Sequence, residues 1–120
     1  MKYILLFVFG LLTAGASGQV KDVDITSAGS KELQKGFLVD VRTAEEFGEG
    51  HLPGALNLDC LEPDFLAQWK NIDKETPVYV YCRTGKRSAR VSKSLDSLGF
   101  QNVTNLKGGY EAWKKKEDKK

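Results

Sequence analysis

The chain has 120 residues, which suits one folded domain and leaves little room for a second. Its residues are 41% hydrophobic and 28% charged, so the composition is that of an ordinary globular protein rather than a disordered or fibrous chain. The net charge is only +2, and much of the excess Lys lies at 114–116 and 119–120. Because the basic residues are not spread over a face with aromatic partners, we expect no nucleic-acid partner.

The first eighteen residues differ from the rest of the chain. Lys2 is followed by the apolar run 3–12 and then by small residues up to Gly18. This order is typical of a secretory signal peptide, and the apolar run is clearly shorter than the roughly 20 residues of a membrane-spanning helix. We therefore expect cleavage to leave residues 19–120 as a single exported domain, periplasmic or secreted, without a membrane anchor.

The remaining sequence alternates between strand and helix patterns. Strands are predicted near 23–25 and over 37–41, 55–58, 78–81 and 103–106, and helices over 27–36, from the capping box at 43–46, and over 64–70, 88–98 and 110–116. Alternation of this kind predicts an α/β fold with a mainly parallel sheet and helices on both faces. Ligands of such sheets lie beyond the carboxyl ends of the strands, where the loop after Tyr81 is expected.

The loop after Tyr81 carries the chemistry of the chain. It joins the strongest strand to the clearest helix and reads Cys82-Arg83-Thr84-Gly85-Lys86-Arg87. Its backbone N–H groups, drawn into a tight turn by Gly85, can converge on one point beside the positive end of the next helix. Surroundings of this kind lower the pKa of a free thiol from about 8.5 to about 3.5–7.5. We predict that Cys82 is a thiolate nucleophile with an anion pocket around it.

This loop is similar to the Cys-x-x-Gly-x-Arg active-site loop of single-domain rhodaneses. Three upstream segments and one closing segment extend the resemblance in the family's order: Leu38–Arg42, Glu45–Phe47, Gly50–Ala55 and Gly108–Trp113. The resemblance implies a five-stranded, mainly parallel sheet flanked by helices. It also implies a thiosulfate sulfurtransferase, which moves sulfane sulfur from thiosulfate or a similar anionic donor through a persulfide to cyanide or to a thiol, including a protein thiol.

The same resemblance assigns roles to individual residues. Cys82 takes the sulfur and gives it up again. The rest of the loop binds the persulfide and the donor: Arg83, Thr84, Gly85, Lys86 and Arg87. Asp40 and Arg42 are expected to form a structural ion pair near the site, and His51 is expected to be structural because a lone His in a turn is a poor general base. With one His and two distant Cys in the chain, we expect no cofactor and no metal.

Two alternative functions remain open at the level of sequence. Cys-dependent phosphatases and arsenate reductases on this fold have five residues between Cys and Arg, whereas four separate Cys82 from Arg87. The shorter loop favours a sulfur atom over a tetrahedral oxyanion. A rhodanese-like module that only binds or carries sulfur is the second alternative. Inactive modules usually lack the loop Cys, but a carrier would have the same sequence.

Cys60 is the second cysteine. Two cysteines in an exported chain favour a disulfide, but a disulfide needs Cα atoms within roughly 7 Å of each other. The strand order implied by the family resemblance places another strand between those that precede Cys60 and Cys82. We therefore predict two free thiols, with Cys60 as a small buried hydrophobe.

Overall fold

The computed structural model describes residues 20–120, so the predicted signal peptide at 1–18 lies outside the described residues. The strands are β1 (Lys21–Asp24), β2 (Phe37–Asp40), β3 (Leu56–Asn57), β4 (Val78–Tyr81) and β5 (Val103–Lys107). The α-helices are α1 (Ser30–Leu33), α2 (Ala44–Glu49), α3 (Lys86–Ser97) and α4 (Gly109–Asp118), and two 3₁₀ segments cover Ile25–Ser27 and Leu66–Trp69. Within this part of the chain, no helix combines the length and apolar character needed to cross a membrane.

The five strands form one parallel sheet in the order β1-β5-β4-β2-β3. The strand β4 lies at its centre, with Asp40 of β2 opposite Tyr81. This arrangement confirms the predicted α/β class and the five-stranded parallel sheet. Because parallel strands end at the same edge, the segments that follow Asp40, Tyr81 and Lys107 leave the sheet side by side, and Cys82 begins one of them.

The side chains of β4 alternate between two cores, one on each face of the sheet. On one face Val78 and Val80 belong to a cluster with Val91 and Leu95 of α3. On the other face the two tyrosines of β4 lie in a second cluster, against which Ala112 and Trp113 of α4 pack. Burial on both faces explains why β4 is the strongest strand signal in the sequence. It also fixes the start of the following loop, since β4 is held from both sides.

Several element boundaries differ from the sequence prediction. The helix predicted over 27–36 is reduced to Ser30–Leu33, the strand predicted over 55–58 to Leu56–Asn57, and the first strand covers Lys21–Asp24. The helix predicted over 64–70 is reduced to a 3₁₀ segment. A short element gains little from α-helix propagation. This segment is held instead by the edge-to-face packing of Trp69 on Phe65 and Phe100. The helix predicted from 88 begins at Lys86, and the last helix begins at Gly109. The last two differences bring helix N-termini closer to Cys82 than the sequence pattern indicates.

Candidate functional site

Cys82 lies directly after β4, with 1% of its surface exposed. The Gly85 N–H donates a hydrogen bond to the Cys82 Sγ atom at 3.0 Å, and the Ser88 hydroxyl donates another at 3.4 Å. Gly85 has a φ of +116°, in the left-handed region that favours glycine, so this residue can turn its N–H toward the sulfur without strain. The loop therefore folds back over its own first residue and surrounds the sulfur with donors.

The electrostatics of the loop favour the ionised thiol. Burial acts to raise the pKa of Cys82, but hydrogen bonds from the Ser88 hydroxyl and from the backbone of Ser88, Gly85 and Thr84 outweigh it and lower the pKa below its ordinary value. The helix α3 starts at Lys86 with Gly85 as its N-cap, so the positive end of its dipole lies beside the sulfur. Cys82 thus has the surroundings of a reactive thiolate.

The Ser88 hydroxyl is expected to make a measurable contribution to the lowered pKa of Cys82. In Ser88→Ala the thiolate loses a donor, so the pKa of Cys82 rises. We expect the pH profile of Cys82 alkylation by iodoacetamide, followed by peptide mass spectrometry, to move to higher pH. At pH values below the midpoint of this profile, the alkylation rate should be roughly tenfold lower than in the wild type. Ser92→Ala is the matched control, because Ser92 is buried on the same helix but donates to the Ser88 carbonyl instead. An unchanged profile in Ser88→Ala would contradict the assignment.

The start of α4 holds the other side of the loop. The Tyr110 N–H donates to the Cys82 carbonyl at 2.8 Å, and the Glu111 N–H donates to the Arg83 carbonyl at 3.1 Å. Gly109 has a φ of +64°, and a Cβ atom at this position would lie 2.5 Å from the Arg83 carbonyl oxygen. The segment 109–111 therefore positions the loop through its backbone.

Arg87 is fixed by a carboxylate from another element. Its guanidinium forms a bidentate pair with Glu46 of α2, with both N–O distances at 3.0 Å. Glu46 also completes the predicted capping box with Thr43. The hydrogen bonds from Arg87 are the main cause that lowers the pKa of Glu46 to about 2. Arg87 is thereby committed to bracing the loop, and the sequence pattern identified Glu46 only as a helix cap.

The other two cations of the loop lie at its surface. Arg83 forms an exposed ion pair with Glu111 at 2.9 Å. Lys86 is exposed and makes no ion pair with any residue in 20–120. Thr84 is exposed at the tip of the loop. Of the three cations predicted to bind a donor, Lys86 is therefore the one whose charge is not already matched by a carboxylate in the described structure.

Asp40 and Arg42 form a buried ion pair behind the site. The Arg42 guanidinium donates to both carboxylate oxygens of Asp40, with the shortest N–O distance at 2.7 Å, and also to the Gly50 carbonyl at 2.7 Å. His51 is exposed, and its ring stacks on Phe47 while Nδ1 lies 2.9 Å from the Phe47 carbonyl oxygen. These contacts tie the turn at 50–51 to β2 and to the end of α2.

Cys60 lies near Cys82 but is separated from it by the backbone that follows β2. The Val41 N–H donates to the Tyr81 carbonyl, and the Cys60 N–H donates to the Val41 carbonyl. Both thiols are free, as predicted. The prediction that Cys60 is a small buried hydrophobe is confirmed only in part: the side chain is half-buried, because it packs on the core with one side and lines a surface groove with the other. Burial is nevertheless the main cause that raises the pKa of Cys60.

The described residues suggest no metal centre. Within 20–120, no three His, Cys, Asp or Glu side chains are grouped so that they could hold a metal ion. The chemistry that the arrangement supports is nucleophilic attack by a thiolate, followed by stabilisation of a negative charge on or beside the sulfur by backbone N–H groups.

Comparison with known proteins gives the family. The sequence model of the rhodanese-like domain matches residues 26–116. The chain is 41% identical over 81 residues to YqhL of Bacillus subtilis (strain 168), a match that covers 67% of this chain and 62% of YqhL. It is 39% identical over 85 residues to the thiosulfate sulfurtransferase GlpE of Tolumonas auensis, covering 69% of this chain and 76% of GlpE.

A solved structure agrees with these sequence matches. The rhodanese-like domain protein of Staphylococcus aureus superposes with a TM-score of 0.68 at 29% identity, covering 78% of this chain and 90% of that one. The family includes proteins named as sulfurtransferases, which supports a role in sulfur transfer. Because its sequence matches the family model over most of its length and its fold matches a solved member, this chain belongs to the rhodanese-like domain family.

Proposed function

We propose that the chain is a thiosulfate sulfurtransferase that carries sulfur as a persulfide on Cys82. The observation that carries the proposal is the position of the Cys82 sulfur, which lies in a shell of hydrogen-bond donors at the start of α3. GlpE, one of the relatives, is named a thiosulfate sulfurtransferase. The proposal includes export of the protein, which is supported by the sequence of residues 1–18.

The first half of the reaction loads the sulfur. The Cys82 thiolate attacks the sulfane sulfur of thiosulfate, the sulfur–sulfur bond of thiosulfate breaks, and sulfite leaves with its electron pair. The product is a Cys82 persulfide with a negative outer sulfur. The backbone of Thr84, Gly85 and Ser88, which favours the thiolate, also suits this second anion. In the second half a thiol or cyanide takes the outer sulfur and Cys82 leaves as a thiolate.

Lys86 is expected to help capture the anionic donor. Lys86→Ala removes an exposed cation at the mouth of the loop and should lower kcat/KM for thiosulfate by roughly threefold to tenfold at low ionic strength. The difference from the wild type should shrink as salt is added, since screening weakens attraction between exposed charges. Thermal unfolding should change little. Thiosulfate kinetics that match the wild type at both low and high salt would contradict this role.

The proposed function is tested by intact mass. The purified protein is incubated with thiosulfate, desalted and weighed by mass spectrometry. We expect the mass of one additional sulfur atom, and we expect cyanide or excess thiol to remove it. If the mass stays unchanged with thiosulfate, with mercaptopyruvate and with polysulfide, the protein is not a sulfurtransferase of this kind.

A further inference from the structure

A groove of about 420 Å³ lies beside the active-site loop. One wall is formed by α3, including Arg87, and the other by Cys60 and the segment 61–67. Arg87 belongs both to the α3 wall and to the active-site loop that starts at Cys82. The groove, which we call the Cys60 groove, therefore begins at the loop that holds the reactive sulfur.

The Cys60 groove presents apolar surface to solvent. Leu61 and Leu66 line it with 67% and 44% of their surface exposed, and they are two of only four large hydrophobic residues exposed within 20–120. Phe65, between them in sequence, is buried and also lines the groove. Exposed apolar side chains that are gathered in one concave place are typical of ligand-binding grooves. Thiosulfate has no apolar part, so this surface does not serve the proposed donor.

The charges of the groove favour a particular kind of ligand. Arg90 lies one turn after Arg87 on the α3 wall, is exposed, and makes no ion pair with any residue in 20–120. Arg87, in contrast, is already paired with Glu46. The acidic side chains of the groove, Glu62 and Asp64, lie on the opposite wall. Glu62 and Asp64 make no ion pair with any residue in 20–120 either, so a carboxylate is matched only along the α3 wall, beside Arg90.

We propose that the Cys60 groove binds the sulfur acceptor and that this acceptor is an aliphatic thiol bearing a carboxylate. The volume of the groove suits a small organic molecule. The inference rests on the proposed function, because it assigns the second half of that reaction. The acceptor's thiol sulfur attacks the outer sulfur of the Cys82 persulfide, the persulfide's sulfur–sulfur bond breaks, and Cys82 leaves as a thiolate. The acceptor departs as an organic persulfide that keeps the thiol proton, so no oxidant or reductant is consumed.

The test compares acceptors that differ in length and charge. The protein is loaded with thiosulfate, and kcat/KM for sulfur release is measured with mercaptopropionate, mercaptohexanoate and mercaptohexylamine. We expect mercaptohexanoate to exceed mercaptopropionate by on the order of tenfold, because its extra methylenes are buried in the groove. The double variant Leu61→Ser/Leu66→Ser should remove most of that advantage. Arg90→Gln should lower kcat/KM for mercaptohexanoate by roughly fivefold and leave kcat/KM for mercaptohexylamine within about twofold of the wild-type value.

Matched controls lie outside the groove. Leu98→Ser changes a leucine of similar exposure, 43%, and Lys93→Gln changes another exposed cation of α3. Both control variants should leave kcat/KM unchanged for all three acceptors. All variants, including those of the groove, should load sulfur from thiosulfate at the wild-type rate. If loading is normal but chain length, Leu61/Leu66 and Arg90 have no effect on the acceptors, the acceptor assignment is wrong. If the wild type does not load sulfur at all, the proposed function is wrong and the acceptor assignment fails with it.

Discussion

Cys82→Ser is expected to abolish sulfur loading, whereas Cys60→Ser is expected to retain it. The serine hydroxyl is not ionised near neutral pH and cannot form a persulfide, so transfer should fall by at least about a thousandfold. Cys60 lies beyond the segment after β2 and contributes no hydrogen bond to the Cys82 sulfur. Intact mass after thiosulfate treatment, followed by steady-state kinetics with cyanide, distinguishes the two variants.

The two cysteine variants control for each other, since each leaves the other thiol in place. Far-ultraviolet circular dichroism should show that both remain folded. Sulfur that is retained on Cys82→Ser and lost from Cys60→Ser would reverse the assignment of the nucleophile. A Cys60–Cys82 linkage in a non-reducing peptide map of protein taken from its native compartment would contradict the prediction of two free thiols, and would mean that oxidation blocks loading.

Asp40→Ala is expected to lower the free energy of unfolding by roughly 3–5 kcal/mol. Asp40 and Arg42 are 0% and 3% exposed, so the substitution leaves a guanidinium buried without its carboxylate. Removing one partner of a buried ion pair has a cost of this size because the remaining charge is not resolvated. Urea denaturation followed by Trp fluorescence measures the change, and the slope of the transition shows whether unfolding stays cooperative.

An exposed acidic residue provides the control for Asp40. Asp118 pairs with Lys114 on the surface of α4, where water screens the two charges and the salt bridge contributes little to stability. Asp118→Ala should therefore leave the free energy of unfolding close to the wild-type value. If Asp40→Ala were equally mild, the pair with Arg42 would not be a structural element of the fold. Loss of sulfur loading at full stability would instead place Asp40 in the reaction.

The fold could be predicted from sequence where local patterns and tertiary packing agree. The run Val78–Tyr81 is apolar and β-branched or aromatic because it is buried on both faces of the sheet, and it lies at the centre of the structure. The loop after it was predicted from its own composition. Gly85, the cations and Cys82 are adjacent in sequence, so their presence in one loop can be read from the local sequence alone.

Most parts of the site that the sequence did not reveal come from distant segments. Glu46 reaches Arg87 across 41 positions, and the N–H groups of Tyr110 and Glu111 bind the loop across the edge of the sheet. The sequence of a capping box does not show that its carboxylate has a second partner. A backbone N–H group is common to all residues except proline, so the sequence does not show which of them bind the loop. Ser88 was adjacent to the loop, but its side chain points at the sulfur only because α3 begins at Lys86.

The binding of the loop by the start of α4 has a consequence for biosynthesis. The ribosome synthesises Cys82 and its loop before it synthesises the start of α4. The carbonyls of Cys82 and Arg83 therefore have no partners on α4 while the chain is still growing. Until that helix docks, the loop that carries the donors to the thiol is not fixed by α4. We therefore expect Cys82 to reach its full reactivity toward sulfur compounds only when the last helix of the domain has folded against the loop.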